Sequence, residues 1–328
     1  MTVITAPTTT IVADPTDRVA ADLVLGTNIR QAATVDEALH IAGLDWGIRT
    51  VSGAAGLSVI DENDTEVSAF APGRKLVMRD DSPVVLGMVG ESYHELANRE
   101  AFALADEAKK MGAVFAAAGE SDYGRKAFLT MDLPEATVHI GGKDAVTWQV
   151  RYRTDHAGTG AVIGEIRGRR LWCLNGCSTS TKLPIRWVVR HTSSAEERMA
   201  LAESTLRGGL QYAKEFAALG ERLISSPMSM SSYLTYIDTL WPKPNADRKA
   251  AVTRWQKRRE DLVGLYQTAE LQQDAPRTAW SAAAAVTEHE QWFSPARSME
   301  SRARRQFDGR SEEFATRAFD LAREMVGV

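Results

Sequence analysis

IRWVVRHTSSAEERMALAESTLRGGLQYAKEFAALGERLI (185–224) changes texture part-way along. IRWVVRH is short and rich in β-branched and aromatic residues, the composition of a strand. Ser193 or Ser194 then serves as an N-cap, and acids fill the turn that follows. Met199, Ala202, Leu206, Leu210, Ala213 and Leu223 roughly follow a helical stripe. The chain on either side of this junction differs in kind.

Upstream, AVFAAAG, KAFLTMDL, ATVHI, AVTWQVRYR, GAVIGEI and RRLWCL read as strands. In QVRYR (149–153), Val150 and Tyr152 alternate with Gln149, Arg151 and Arg153, which predicts a sheet with one polar, basic face. GGKDAV (141–146) lacks the Walker spacing and reads as a hairpin turn. Between 45 and 90, short Val/Ile/Leu runs separated by DENDTE, APG and DDSP predict a small antiparallel sheet. Two helices interrupt the strands. TVDEALHIAGL (34–44) has Thr34 as N-cap and Glu37 to complete a capping box, and Gly43 disturbs its end. ESYHELANREAFALADEAKKMG (91–112) shows apolar residues at three- and four-residue spacing and stops at Gly112.

Downstream of 193, further helices are expected at 229–240, 247–266, 277–292 and 299–325, with breaks at WPKPN (241–245) and SPAR (294–297). Strands first, helices later, without regular alternation, predict an α+β fold: an antiparallel sheet with an inserted helix, then a helical C-terminal third. The expected organisation is a disordered tail over 1–24, a sheet domain with a basic face over 25–192, and a helical region over 193–328 packed on or extending it.

Composition narrows function by exclusion. The 328 residues carry a formal charge of −4, which argues against coating nucleic acid by bulk charge but leaves room for a local groove. The two cysteines, Cys173 and Cys177, would lie roughly 13 Å apart in a strand, too far for a disulfide. Their spacing and His191 do not match common zinc sites, so neither a metal nor any other cofactor is expected. A reducing cytosol is the expected compartment. The N-terminus has no signal-peptide pattern, and no segment approaches the roughly 20 apolar residues of a membrane span. G-x-S-x-G is absent, and no catalytic residue is assigned. Asp155–His156 in TDHAGTG is an acid–base pair in form, but loop residues of this kind are more often turn formers.

Charge distribution is more informative. Between 125 and 190 there are eleven bases and five acids, a surplus of six that leaves −10 on the remainder. Trp148, Tyr152, Trp172 and Trp187 are interleaved with those bases. Cations beside flat rings suit single-stranded nucleic acid, the cations holding the backbone while the rings stack bases. The expected contacts are Arg151, Arg153, Arg167, Arg169 and Arg170, with Lys126 and Arg186 at the periphery and Trp148 and Trp172 as stacking residues. The alternative is a core sheet whose tryptophans are buried and whose arginines pair with acids of the helical third. Composition alone leans to that alternative.

LGTNIRQAATVDEALHIAGLDW (25–46), VVLGMVGESYHELANREAF (84–102), LWCLNGC (171–177) and IRWVVRHTSSAEERMALAESTL (185–206), in that order, resemble the phage/plasmid-like protein family. TAW-x-x-x-x-AVTE (278–288) and FDGR (307–310) fit as well, so the resemblance runs from about 25 to 325. The sequence departs from the family at Cys173, Asn175, Gly176 and Cys177, where a simpler cysteine–asparagine pair is common. The family is a domain of unknown function with no established catalytic residues to carry over. The resemblance implies an accessory protein of a mobile element, working in the host cytoplasm. By analogy with the single-strand annealing recombinases that phages encode, it implies a homo-oligomer that binds single-stranded DNA in recombination. The competing expectation is a structural or host-interacting protein that binds no nucleic acid.

Overall fold

The computed structural model describes residues 18–53, 57–93, 95–158, 162–170, 176–177, 186–189, 195–269, 272–307 and 310–328. The chain begins with α1 (Ala21–Leu25), β1 (Thr27–Asn28) and α2 (Val35–Ala42). Thr34 caps α2 by accepting the Glu37 N–H at 3.2 Å, while the Glu37 carboxylate accepts the Ala33 N–H at 2.8 Å. Gly43 closes the helix in the left-handed region at φ 66°.

The turn-punctuated segment forms β2 (Ile48–Ser52), β3 (Leu57–Ile60), β4 (Glu66–Ala69), β5 (Arg74–Arg79) and β6 (Val85–Gly90). β2, β5 and β6 make one antiparallel sheet over a small core of Trp46, Val77, Leu86 and Val89, and β3–β4 is a separate hairpin. The helix expected over 91–112 is shorter and broken, into α3 (Asn98–Ala101) and α4 (Leu104–Lys110). Asn98 accounts for the late start. It is fully buried, it donates to the Leu44 carbonyl at 3.0 Å, and Ala97 before it is extended. Apolar spacing does not register such a tether.

The main sheet follows: β7 (Val114–Ser121), β8 (Lys126–Ile140), β9 (Asp144–Asp155), β10 (Val162–Arg170), β11 (Gly176–Cys177) and β12 (Arg186–Val189). The order is β1-β7-β8-β9-β10-β11, with β12 also on β10, and every pairing is antiparallel. KAFLTMDL and ATVHI are one strand, irregular between Leu133 and Val138 where the N–H-less Pro134 sits. Gly141 and Gly142, at φ 58° and 73°, make the β8–β9 turn.

The helical third is α5 (Ala195–Ile224), α6 (Met230–Leu240), α7 (Lys249–Thr268), α8 (Ala279–Glu288) with a π-helical turn at His289–Phe293, α9 (Met299–Phe307) and α10 (Arg310–Val326). The fold is α+β with a helical C-terminal region. One apolar cluster joins α2, the sheet and the helices, and α8 is buried at all ten positions. Trp148 meets Tyr212 and Phe216 of α5 edge to face, with ring centroids 5.0 and 5.5 Å apart. Residues 18–24 belong to this folded body rather than to a disordered tail. Arg18 is buried and paired with Glu288 at 2.8 Å, and Asp22 is buried in α1. Among the described residues, no helix is long and apolar enough to cross a membrane.

Candidate nucleic-acid interface

The alternation in QVRYR assigns faces correctly, but both faces are covered. Val150, Tyr152 and Trp148 meet the helical core. Gln149 and Arg151, with Thr130 and Asp132 of β8, form a buried polar layer. Asp22 of α1 accepts from Thr130 Oγ1 at 3.1 Å and from Gln149 Nε2 at 2.9 Å, and Arg30 pairs with Asp132. Two expected contacts are therefore corrected. Trp148 is 0% exposed and stacks no base. Arg151, 2% exposed, is ion-paired with Glu165 across the β9–β10 ladder and lies 4.2 Å from the Phe307 ring centroid of α9. Burial alone would raise the Glu165 carboxyl. The guanidiniums of Arg151, Arg167 and Arg153 outweigh burial and hold it at about 2.

The other candidates are dispersed. Arg153 keeps 27% side-chain exposure and reaches Glu165 at 3.5 Å. Arg167 is half-buried, close enough to act on Glu165. Arg169 and Arg170 lie in β10 opposite Thr147 and Val146, and Arg186 lies in β12 opposite Glu165. The side chains of those three, like Trp172 and Cys173 altogether, lie outside the described residues. His156 is buried, with Nε2 2.8 Å from Asn98 Oδ1 and its ring edge-on to Trp46 at 5.3 Å. The Asp155 carboxylate accepts the Ala157 N–H at 2.8 Å. Among the described residues, no three His, Cys, Asp or Glu side chains are placed to hold a metal.

Lys126 and Arg153 come together at one end of the sheet, on a cleft of about 300 Å³, the lower end of the range for small-ligand sites. Its apolar wall is Leu25, Ala127, Phe128, Ile163 and Phe307, and Arg304 of α9 completes its cations. Phe128 and Phe307 lie 4.4 Å apart between ring centroids. Glu120, Asp122 and Asp155 equal these cations in number, and Arg304 is also paired with Glu300 at 2.9 Å, as Arg153 is with Glu165 at 3.5 Å. Glu120 accepts from Arg79 at 3.0 Å and from Trp46 Nε1 at 3.0 Å. Asp122 reaches Arg304 at 3.3 Å, which ties the β7–β8 turn to α9.

That turn, SDYGRK (121–126), holds what sequence reading missed. Asp122 and Tyr123 both adopt left-handed backbone, at φ 54° and 61°, followed by Gly124 at φ 91°. Such a conformation costs a non-glycine residue about 1–2 kcal/mol. It leaves Tyr123 82% exposed beside the exposed Arg125 and Lys126. The turn is braced from below. A Cβ on Gly124 would lie 3.0 Å from the Trp46 ring and 3.1 Å from Arg79 Nη1, and Arg79 stacks on Trp46 at 4.4 Å. The Tyr123 ring is thus held outward by strained, braced backbone beside two exposed cations. No hydrophobic periodicity marks a lone tyrosine in a turn, so only the aromatic-plus-basic composition of DYGRK carried a signal.

No curated protein and no solved structure matches the chain. A family model, the domain of unknown function DUF932, matches residues 85–308, from β6 to α9, and takes in every cleft-lining residue except Leu25. On that match, which spans more than half its length, the chain belongs to the DUF932 family.

Proposed function

We propose that this protein binds single-stranded DNA at the β7–β8 turn and the cleft beside it, as an annealing or recombination accessory factor of a phage or plasmid. The observation that carries the reading is Tyr123, 82% exposed on left-handed backbone, with Arg125 and Lys126 next to it. The ring offers one base a stacking face, Lys126, Arg153 and Arg304 offer the backbone cations, and the Phe128–Phe307 wall offers a second apolar surface. The mobile-element context rests on the resemblance of the sequence motifs alone. Homo-oligomerisation is a second reading. Its support is the exposure of Ile60 (65%) in the β3–β4 hairpin and of Phe70 (66%) just past it, and light scattering of the purified protein decides it.

Fluorescence anisotropy with a labelled oligo-dT, titrated with salt, tests the DNA reading. Affinity should fall by about 0.7 log unit per log unit of salt for each phosphate contact. Replacing Tyr123 by Ala removes the stacking face, worth about 1–3 kcal/mol per base. Tyr123→Gly removes the ring and also relieves the left-handed backbone, so it should weaken binding without lowering the melting temperature. A folded wild-type protein that leaves oligo-dT free at low salt would refute the proposal.

A further inference from the structure

Elsewhere the fold leaves positive charge open. From Lys243 to Arg259 there are seven cations and one acid, Asp247, a surplus of six within seventeen residues. Three of the cations are fixed on rings. Arg258 lies 5.0 Å from Trp241, and Lys243 and Arg259 lie 5.6 and 5.7 Å from Trp255. Arg259 also bonds Asp238 at 3.2 Å. The other four, Arg248, Lys249, Arg254 and Lys257, are exposed. Among the described residues, only Lys257 of these four has an ion pair, with Asp261 at 3.9 Å.

This arrangement works against the helix that carries it. The first turn of α7 has no acid, and cations there oppose the helix dipole. The buried residues of α7, Leu262, Leu265 and Tyr266, all belong to its C-terminal half. The N-terminal half therefore contributes charge to the surface and little to the core. The large apolar residues of its N-terminal half, Val252 and Trp255, are half-buried, so α7 has no open apolar face to lay into a bilayer, which an interfacial helix requires. Both tryptophans are half-buried and capped by cations, so neither offers a free ring to an unstacked base. What remains is charge without stacking, which suits the polyanion of highest charge density.

We propose that residues 243–259 form a contact for the phosphate backbone of duplex DNA, separate from the single-strand cleft. The duplex presents one charge per about 1.7 Å of axis, and neutralising those charges releases counterions without any need to read bases. The assignment is independent of the cleft. A protein with both surfaces would seat itself where duplex meets single strand.

The test uses the full chain, a random-sequence duplex and an oligo-dT of equal length, with the triple variant Lys249→Ala, Arg254→Ala, Lys257→Ala. The variant should bind duplex roughly tenfold or more weakly at low salt, with a log–log salt slope shallower by about 2.7, and its oligo-dT affinity should stay within about twofold. Three results would each overturn the proposal: unchanged duplex affinity and slope, no duplex binding by wild type at low salt, or equal loss for duplex and oligo-dT. Poly-glutamate binding tighter than duplex binding would also overturn it, because the surface would then fit an acidic protein. Failure of the cleft reading shows up elsewhere, as oligo-dT binding unmoved by Tyr123→Ala.

Discussion

Glu165 decides how much of the basic stretch is available to a ligand. It faces Arg151 across the ladder, and Arg153 and Arg167 act on the same carboxylate. One acid thus takes Arg151 out of reach and partly neutralises Arg167 and Arg153, of which Arg153 keeps 27% side-chain exposure on the cleft. Its folded value of about 2 lies below its ordinary 4.5. The stabilisation is therefore complete above 4.5 and lost as pH falls towards 2, on the order of 3 kcal/mol. Glu165→Gln removes that dependence and takes the carboxylate from a buried guanidinium, which costs about 3–5 kcal/mol at neutral pH. Urea denaturation of the two proteins should give curves far apart at pH 7 that converge as pH approaches 2. Parallel curves over that range would mean that Glu165 is not depressed in the fold.

At the level of elements, the sequence is most readable where the cause is local. Thr34 and Gly43 bound α2 by capping chemistry, and Gly141–Gly142 marks the β8–β9 turn by backbone freedom. The period of two in QVRYR sorted side chains onto the right faces but carried no information on what covers each face. Arg151 is covered by Phe307, distant in sequence, and the start of α3 is set by Asn98 reaching Leu44. The candidate site was half legible: Lys126 and Arg153 by charge, Arg304 and Tyr123 not, because a fold-back and a strained turn bring them in. The α7 cations were countable but diluted by Glu260 and Asp261 just beyond them. Another non-local contact sets the docking of α1. A Cβ on Gly26 would lie 2.4 Å from the Ala118 carbonyl oxygen of β7, and one on Gly119 would lie 2.6 Å from Gly26 Cα. Gly26→Ala should therefore push α1 off the sheet edge at a cost of about 1–3 kcal/mol. A variant as stable as wild type in thermal unfolding would show that α1 has room to move.

Across the whole molecule, α1 is held at both ends, and its upstream anchor reaches the far end of the chain. Arg18, 270 positions from Glu288, pairs with it at 2.8 Å with both side chains 1% exposed. Gln272 Nε2 donates to the other carboxylate oxygen at 2.7 Å. Glu288 is the last residue of α8, where the helix passes into the π-helical turn whose Trp292 ring lies 5.3 Å from the Arg18 guanidinium. Removing one partner of such a pair strands a buried charge, so Arg18→Ala should cost about 3–5 kcal/mol, whereas Arg18→Met with Glu288→Leu should recover most of it. The consequence extends to the cleft. α1 packs on α9 and ends in Leu25, a cleft residue, and α9 supplies Arg304 and Phe307. If Arg18 holds α1 in place, Arg18→Ala should weaken oligo-dT binding at temperatures where the protein is still folded, and the apolar pair should restore it. Restored stability without restored binding would separate the cleft from its N-terminal anchor.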